Sequence, residues 1–260
     1  MKRFAKLAVA AAIAGMAFVA QAAPVLIDAF TTDQTVLTDS TQNNVGLTSQ
    51  AGSGADTSII GGYRELFVTK TLPVGNNTGG KDAQILVADG ALSYSSSSQT
   101  AGIGIVRWDG SRQSTSADFY GAIGGGLGNI DTSGLGGIDL TDGGGNIGFS
   151  FTVIDSDLNF PFTLRVFTDS SNWSSVTLFS GGPGGYFIPF AAFYSGLATQ
   201  TGTVDFTNVG ALEAIINADG LATKLDVSLE LVQAVPEPGT MALAGLALFG
   251  LGAVRRRKQV

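Results

Sequence analysis

The sequence predicts an all-β protein built as an antiparallel β-sandwich. Glycine accounts for 37 of the 260 residues, and segments rich in the helix formers Glu, Lys, Gln and Arg are missing. Short segments instead alternate between apolar and polar residues, which is the period of a strand with one buried face. One apolar face and one wet face suit two antiparallel sheets that pack against each other.

Strand-like segments recur at short intervals along the chain. The alternation is clearest near the C-terminus, where Leu225, Val227, Leu229 and Leu231 are expected to share one face. The predicted strands are Val25–Phe30, Tyr63–Thr71, Gln84–Ala88, Leu92–Ser95, Ile103–Trp108, Ile147–Ile154, Phe162–Thr168, Val176–Phe179, Tyr186–Phe190, Leu212–Ile216 and Leu225–Val232.

The segment Gly121–Gly148 is rich in glycine and low in complexity. It contains GNID at Gly128 and GGID at Gly136, two similar tetrapeptides that lie eight residues apart. A calcium-binding nonapeptide repeat needs several tandem copies at a period of nine. We therefore expect long loops between strands here.

The N-terminus has the organisation of a secretory signal peptide. Three basic residues among the first six precede an apolar run, Leu7–Ala20, and a small-x-small sequence occupies residues 20–22. Cleavage is expected between Ala22 and Ala23, because cleavage one residue later would place Pro24 directly after the scissile bond. Residues 1–22 are thus predicted to be removed, which leaves a body at residues 23–234.

The last 26 residues, 235–260, form a second signal. Pro236, Glu237 and Pro238 lie in a motif at residues 235–240, followed by an apolar segment at 240–254 and a basic cluster. The fourteen residues from Met241 to Val254 rise about 21 Å as a helix, short for a bilayer core of about 30 Å. Because Thr240 and Gly239 can extend the helix and the arginines can reach the headgroups, a single transmembrane helix is predicted at residues 240–254. The cluster, Arg255, Arg256, Arg257 and Lys258, is expected to stay in the cytoplasm by the positive-inside rule.

This tail resembles the PEP-CTERM signal of exopolysaccharide-producing Gram-negative bacteria. The resemblance covers about a tenth of the chain, and its three parts occur in the expected order at the C-terminus. It implies that an exosortase recognises the tail and cleaves near Pro236, Glu237 and Pro238. It further implies export across the inner membrane, a transient anchor in that membrane, and a final place at the cell surface or outside the cell.

The body resembles, more weakly, the C-terminal half of jelly-roll carbohydrate-binding domains. A segment ending in Ile188-Pro189-Phe190 is followed by an aspartate-led turn at Asp205 and by the last two predicted strands. The resemblance implies a jelly-roll sandwich with a phenylalanine in its core, and an unrelated β-sandwich explains the same residues. Sugar sites in such folds use exposed aromatic side chains. Trp173, within the polar sequence SNWSS, is the candidate for stacking on sugar, whereas Trp108 ends an apolar strand and is expected in the core.

Composition restricts the chemistry of the body. The two terminal signals hold seven of the 14 basic residues and one of the 21 acidic residues, so the body has seven bases, 20 acids and a net charge of −13. Such a surface is expected to repel nucleic acid and anionic lipid. The sequence contains no Cys and no His, which excludes disulfides, catalytic triads that need His, and His-ligated zinc.

Carboxylates are the remaining candidates for a chemical or metal site. Asp155 and Asp157 share a face if they lie on a strand, and paired carboxylates can hydrolyse glycosides, although DSD is also ordinary turn chemistry. The jelly-roll resemblance also implies a structural calcium site, because aspartates near the chain ends often bind an ion in such folds, and Asp28 and Asp226 occupy comparable places. No other cofactor is expected.

Three functions follow, in this order. The first is a non-enzymatic exported surface or matrix protein associated with exopolysaccharide and biofilm. The second is a dedicated carbohydrate-binding module. The third is a glycan-active enzyme that uses carboxylates alone.

Overall fold

The structure, a computed structural model, describes residues 22–41, 45–72, 81–123 and 126–236. The strands are β1 Val25–Asp28, β2 Gln34–Asp39, β3 Leu47–Gly52, β4 Tyr63–Leu72, β5 Ala83–Ala88, β6 Ala91–Ser96, β7 Ala101–Trp108, β8 Gly148–Ser156, β9 Pro161–Asp169, β10 Asn172–Phe179, β11 Gly184–Pro189, β12 Thr199–Thr201, β13 Ala211–Ile216 and β14 Asp226–Val235. One short helix, α1, spans Ser116–Tyr120, and single 3₁₀ turns occupy Ile60–Gly62 and Phe190–Tyr194.

The strands form two sheets. Sheet I has the order β11-β8-β14-β6-β5-β2, with β1 paired to β14, and sheet II has the order β12-β10-β9-β13-β7-β4-β3. All described pairings are antiparallel. The chain passes between the sheets repeatedly, as in jelly rolls and other Greek-key sandwiches. The predicted all-β sandwich is confirmed.

The main core lies between the two sheets and is rich in aromatic side chains. Phe190 stacks on Phe206 with ring centroids 4.0 Å apart, and Phe149 packs edge-on against Phe190 at 5.1 Å. The turn at Asp205 forms as expected, because its carboxylate accepts a hydrogen bond from the Thr207 backbone N–H at 2.9 Å. The phenylalanine core implied by the jelly-roll resemblance is therefore present.

The predicted buried face of β14 is wrong near its C-terminal end. Val227 and Leu229 are buried as expected, but Leu231 is 37 % exposed. A bulge in β14 shifts its register against β8 between Glu230 and Val232. Because one extra residue moves the following side chains to the opposite face, Val232 takes the inward position that the alternation assigned to Leu231.

The eleven predicted strands are all present, and three strands were not predicted. The three are β2, β3 and β12, and each lies at the edge of a sheet. Their sequences QTVLTD, LTSQAG and TQT are polar. An edge strand is held by backbone pairing on one side and can expose most of its side chains, so it leaves little hydrophobic pattern to recognise.

The connection from β7 to β8, residues 109–147, is the long loop predicted at Gly121–Gly148 together with its approach. Its described part contains α1 and one isolated bridge, between Ile138 and Val209. The part around α1 lies on the outer face of sheet II, where Phe119 stacks on Phe67 with ring centroids 4.9 Å apart, whereas Leu135 and Leu140 pack in the main core. Gly134 passes so close to the Asp109 carbonyl that a Cβ there would overlap with it. We call residues 109–147 the cover.

Candidate functional site

A row of charged side chains crosses the outer face of sheet II. Glu65 on β4 is in register with Arg107 on β7, Arg107 with Glu213 on β13, and Glu213 with Arg165 on β9. Residues in register point to the same face of a sheet, so acid and base alternate across four strands. Arg107 Nη2 lies 2.7 Å from Glu213 Oε2, and Arg165 Nη1 lies 2.8 Å from Glu213 Oε1.

The row is sealed beneath the cover, and its charges depend on each other. All four side chains are buried. Arg107 also packs over the Phe119 ring at 4.0 Å, and Arg165 donates a hydrogen bond to the Gly126 carbonyl of the cover. A buried ion that loses its partner is strongly destabilising, so the row fixes how the cover sits on the sheet.

Beyond Arg165 the row continues as hydroxyl groups. Ser175 on β10 is in register with Arg165, and Thr199 on β12 is in register with Ser175. One step along the strands, the hydroxyls of Thr163 and Thr177 lie 2.7 Å apart. The cover seals the centre of sheet II, but it does not seal the outer face of β9, β10 and β12 to the same extent. A cleft opens on that part of the sheet.

The cleft has a volume of ≈ 220 Å³. It is lined by Ile103, Ala122, Ile123, Thr163, Arg165, Trp173, Ser175, Thr177, Thr199, Ile215 and Ala218. Hydroxyls from three neighbouring strands line one part, and apolar side chains from the sheet and the cover line the other. Hydroxyls both donate and accept hydrogen bonds, and a cleft with apolar walls and a few convergent polar groups is the usual form of a small-ligand site.

Trp173 lies at this cleft, but not as predicted. The exposed loop position assigned to it is wrong: Trp173 lies on β10 and is 7 % exposed. Its ring packs on Phe167 at 6.0 Å, and the Arg165 guanidinium lies 5.1 Å from its centroid. It therefore lines the cleft without being an open platform for a sugar ring. Trp108 is in the core as predicted, and its indole N–H donates to Asp28.

The alternation of β10 was the signal for this arrangement. Trp173, Ser175 and Thr177 lie two apart and so share the outward face, while Ser174 and Val176 face the core. The polar residues beside Trp173 suggested a loop because two hydroxyls stand where a buried strand usually has apolar residues. Arg165, Thr163 and Thr199, which complete the cleft, were not among the predicted residues, since nothing in the sequence joins their strands to β10.

Two buried carboxylates meet at the other end of the charged row. Glu65 accepts a hydrogen bond from the Ser114 backbone N–H, and Asp109 accepts one from the Asp131 backbone N–H at 3.0 Å. Within the described residues, Glu65 Oε2 and Asp109 Oδ1 have no hydrogen-bond partner. Burial raises the pKa of both groups, and the neighbouring Glu65 carboxylate helps to raise the pKa of Asp109 to about 7.

The predicted calcium ligands do not come together. Asp28 pairs in register with Val232, six residues along β14 from Asp226, and six strand residues span about 20 Å, so one ion cannot bind both. Asp28 is buried and bound by Arg64, whose Nη1 lies 3.0 Å from its carboxylate. In the described ranges, no group of three or more ligating side chains is placed to hold a metal ion.

Asp226 instead lies beside the DSD sequence. Its backbone N–H donates to the Asp157 carboxylate at 2.9 Å, and Asp157 follows the end of β8, 69 residues earlier in the chain. Burial first, and then the charges of Asp157 and Asp155, raise the pKa of Asp226.

The two ends of the body leave the sandwich side by side. Val25 at the start of β1 pairs with Ala234 near the end of β14, and β14 continues to Val235, so Pro236 follows the sheet directly. Glu237, Pro238, the apolar segment 240–254, the basic cluster and residues 1–21 lie outside the described residues. None of the helices in the described part of the chain is long and apolar enough to cross a membrane.

Comparison with known proteins identifies the tail. Residues 234–258 match the PEP-CTERM protein-sorting motif, so the chain carries this sorting signal, as the sequence predicted. Among solved structures, the chain is similar to a family 11 carbohydrate-binding module from Clostridium thermocellum, solved with a β-1,3-1,4-mixed-linked tetrasaccharide. That similarity covers 82 % of this chain and 95 % of the module, at 10 % identity and a TM-score of 0.37. No curated protein matches the sequence.

Proposed function

We propose that this chain is a non-enzymatic surface or extracellular-matrix protein that is exported and then processed at both ends. The sorting motif at residues 234–258 is the observation that carries the proposal. In this proposal residues 1–22 direct export, the segment 240–254 anchors the precursor in the inner membrane, and an exosortase processes the chain near Pro236. The protein then remains at the cell surface or in the extracellular polysaccharide.

The position of the motif supports this order of events. Because β14 ends at Val235, about five residues separate the folded sheet from Met241, and these span at most about 18 Å when extended. The folded body of the precursor is therefore held close to the membrane. The processing enzyme must reach a short segment with a proline at each end, which keeps its backbone extended and accessible.

A direct test separates sorting from insertion. Replacing Pro236, Glu237 and Pro238 together by alanine should leave membrane insertion intact and block processing, so full-length precursor should accumulate in the inner membrane. Replacing the Arg255–Arg257 cluster by neutral residues should instead disturb orientation, because the charges that retain the tail in the cytoplasm are lost. Intact mass and protease accessibility distinguish these outcomes, and normal processing of the first variant would refute the proposal.

We further propose that the cleft on sheet II binds a sugar unit of the extracellular polysaccharide. The hydroxyls of Thr163, Ser175, Thr177 and Thr199 match the many donors and acceptors of a sugar, and the apolar walls match the C–H faces of its ring. The volume of ≈ 220 Å³ is below the range of about 300–1,000 Å³ typical for drug-sized ligands. A single sugar unit suits it better than a long stretch of chain.

Two threonines provide the test of the cleft. Their hydroxyls bond to each other, and replacing both partners of a hydrogen bond by apolar groups of similar shape is nearly neutral for stability. The double change Thr163→Val and Thr177→Val should therefore leave the melting temperature unchanged and weaken retention on the host's polysaccharide roughly tenfold. Thr152→Val, on the outer side of sheet I, is the matched control. Unchanged retention in the double variant, or no retention of the wild type, would leave the body as a structural matrix component.

A further inference from the structure

The loop at residues 139–146 holds the first residue of the predicted mature chain. The backbone nitrogen of Ala23 donates to Asp142 Oδ2 at 2.8 Å, and the Ala23 carbonyl accepts a hydrogen bond from Asn146 Nδ2 at 3.0 Å. Asp142 is 119 residues away along the chain. Two hydrogen bonds from one loop thus bind both backbone groups of one residue.

The loop is shaped by its own hydrogen bonds and does not depend on Ala23. Asp139 accepts hydrogen bonds from the backbone N–H groups of Thr141 at 2.8 Å and Gly143 at 3.2 Å. The Asn146 backbone N–H donates to the Thr141 carbonyl at 2.7 Å, and Asn146 itself is 2 % exposed. These bonds within the loop help to hold Asp142 and Asn146 in place, and such preorganisation lowers the entropic cost of binding the N-terminus.

The charge of Asp142 has no counter-ion in the part of the precursor that the structure describes. Among the described residues, no lysine or arginine lies within ion-pair distance of Asp142. While residues 1–22 are attached, Ala23 presents a neutral amide N–H. Hydrolysis of the Ala22–Ala23 bond adds water across it: Ala22 leaves with a new carboxylate, and Ala23 gains an α-amino group that is protonated at neutral pH. The same nitrogen then bears a positive charge opposite the carboxylate.

We infer that residues 139–146 are a binding site for the α-ammonium group of the mature chain, with Asp142 as its counter-ion. The inference rests on the cleavage after Ala22 contained in the proposed function. The hydrogen bond to Asp142 is present before cleavage, and the new ammonium adds the attraction of an ion pair to it, so cleavage strengthens a contact that is already formed.

The site also explains why residue 145 is a glycine. Gly145 lies against Ala22, and a Cβ at Gly145 would overlap with the Ala22 side chain. A larger residue there would push the chain away from Asp142 in the precursor. Gly145 thus allows the segment that the signal peptidase must cut to lie on the loop before the cut is made.

The site lies at the root of the sorting tail. β1 begins two residues after Ala23, and its Val25 pairs with Ala234, the first residue of the sorting motif. Binding the new N-terminus to Asp142 therefore holds β1 against the C-terminal end of β14, and the tail continues from that end. Cleavage at the N-terminus thus stabilises the pairing of β1 with β14, the strand that leads into the C-terminal sorting tail.

The test measures the reactivity of the α-amino group. The full-length chain is expressed in a Gram-negative host, recovered after export, and first weighed intact to establish whether it begins at Ala23. It is then acylated at neutral pH with a limiting amine-reactive ester, and the rate is read from the N-terminal peptide. An exposed ion pair lowers the reactivity of an amine by a modest factor, so Asp142→Asn should raise the rate of acylation roughly two- to fivefold. Asp131→Asn, another turn aspartate of the cover, is the control and should not.

A second variant moves the α-amino group away from Asp142 and keeps its charge. One serine inserted between Ala22 and Ala23 moves the α-amino group a residue away from Asp142, so adding Asp142→Asn to it should change the rate little. A chain that begins at Ala23 and reacts equally fast with and without Asp142 overturns the inference alone. A chain that begins elsewhere overturns the predicted cleavage as well, and the intact mass tells the two failures apart.

Discussion

Asp109 should make the stability of the folded protein depend on pH near neutrality. The side chain is buried at the end of β7, and its burial, with the Glu65 charge beside it, raises its pKa to about 7. The sequence contains no His and no Cys, and an α-amino group titrates at about 7.7–8.0. A change in stability between about pH 5 and 7.5 is therefore assigned to carboxylates with a raised pKa, which are Asp109, Glu65, Asp28 and Asp226 among the described residues.

The sign follows from the two pKa values. An unfolded Asp has a pKa of about 3.9, so between about pH 4 and 7 the folded state binds a proton that the unfolded state does not. The free energy of unfolding then falls as pH rises, because the stabilisation is complete below the unfolded pKa and is lost as pH passes the folded one. A shift of about three units at about 1.36 kcal/mol each corresponds to at most about 4 kcal/mol.

Asp109→Asn tests this directly. Asparagine can still accept the hydrogen bond from the Asp131 N–H, and its amide donor replaces the unpartnered carboxylate oxygen without adding charge. In urea unfolding at about pH 5 and about pH 7.5, the wild type should lose a few kcal/mol of stability at the higher pH, and the variant should lose much less.

Two controls define failure. Asp131→Asn removes a neighbouring charge that raises the pKa of Asp109 less than Glu65 does, keeps the backbone donor, and should shift the loss of stability only slightly. Glu65→Gln removes the second cause of the raised pKa, so the loss of stability should move to lower pH. A wild type with equal stability at both pH values, or an Asp109→Asn variant with the wild-type slope, would refute the reasoning.

Three further predictions follow from the core and the charged row. Trp108→Ala should lower the free energy of unfolding by about 3–5 kcal/mol, because it leaves a cavity and removes a donor to Asp28; Trp108→Phe should cost less, and urea unfolding distinguishes the two. Glu213→Ala should cost about 3–5 kcal/mol since it leaves Arg107 and Arg165 unpaired, and a near-neutral result would show that water reaches the row. The exported body should give a β-rich circular dichroism spectrum with the same melting temperature in reductant, because the sequence contains no Cys.

The strands were predictable where one face is buried. Several of the eleven predicted segments alternate cleanly, as β5 and β6 do, and all eleven are strands in the structure. The pattern is absent from β2, β3 and β12, which are edge strands with polar sequences. It also misplaced Leu231, because a bulge depends on how β14 meets its neighbours and not on β14 alone.

The candidate site was much less predictable. Trp173 was identified by its polar neighbours, yet those neighbours are the hydroxyl lining of a cleft, and the indole itself is buried beside Arg165 and Phe167. Burial of Trp173 requires the cover to lie on sheet II. A glycine-rich sequence has no hydrophobic pattern that would indicate where a long loop packs.

By itself, the sequence determined the C-terminal sorting motif, the all-β class and the restricted chemistry, and it predicted an N-terminal signal peptide. These depend on local features: charge next to an apolar run, alternation within a strand, and the absence of two residue types. Tertiary structure alone decided which strands are neighbours, and with them the alternation of Glu65, Arg107, Glu213 and Arg165, the cleft beside it, and the contact of Ala23 with Asp142. Each joins residues that are dozens of positions apart, and antiparallel register between distant strands is set by the packing of the whole sandwich.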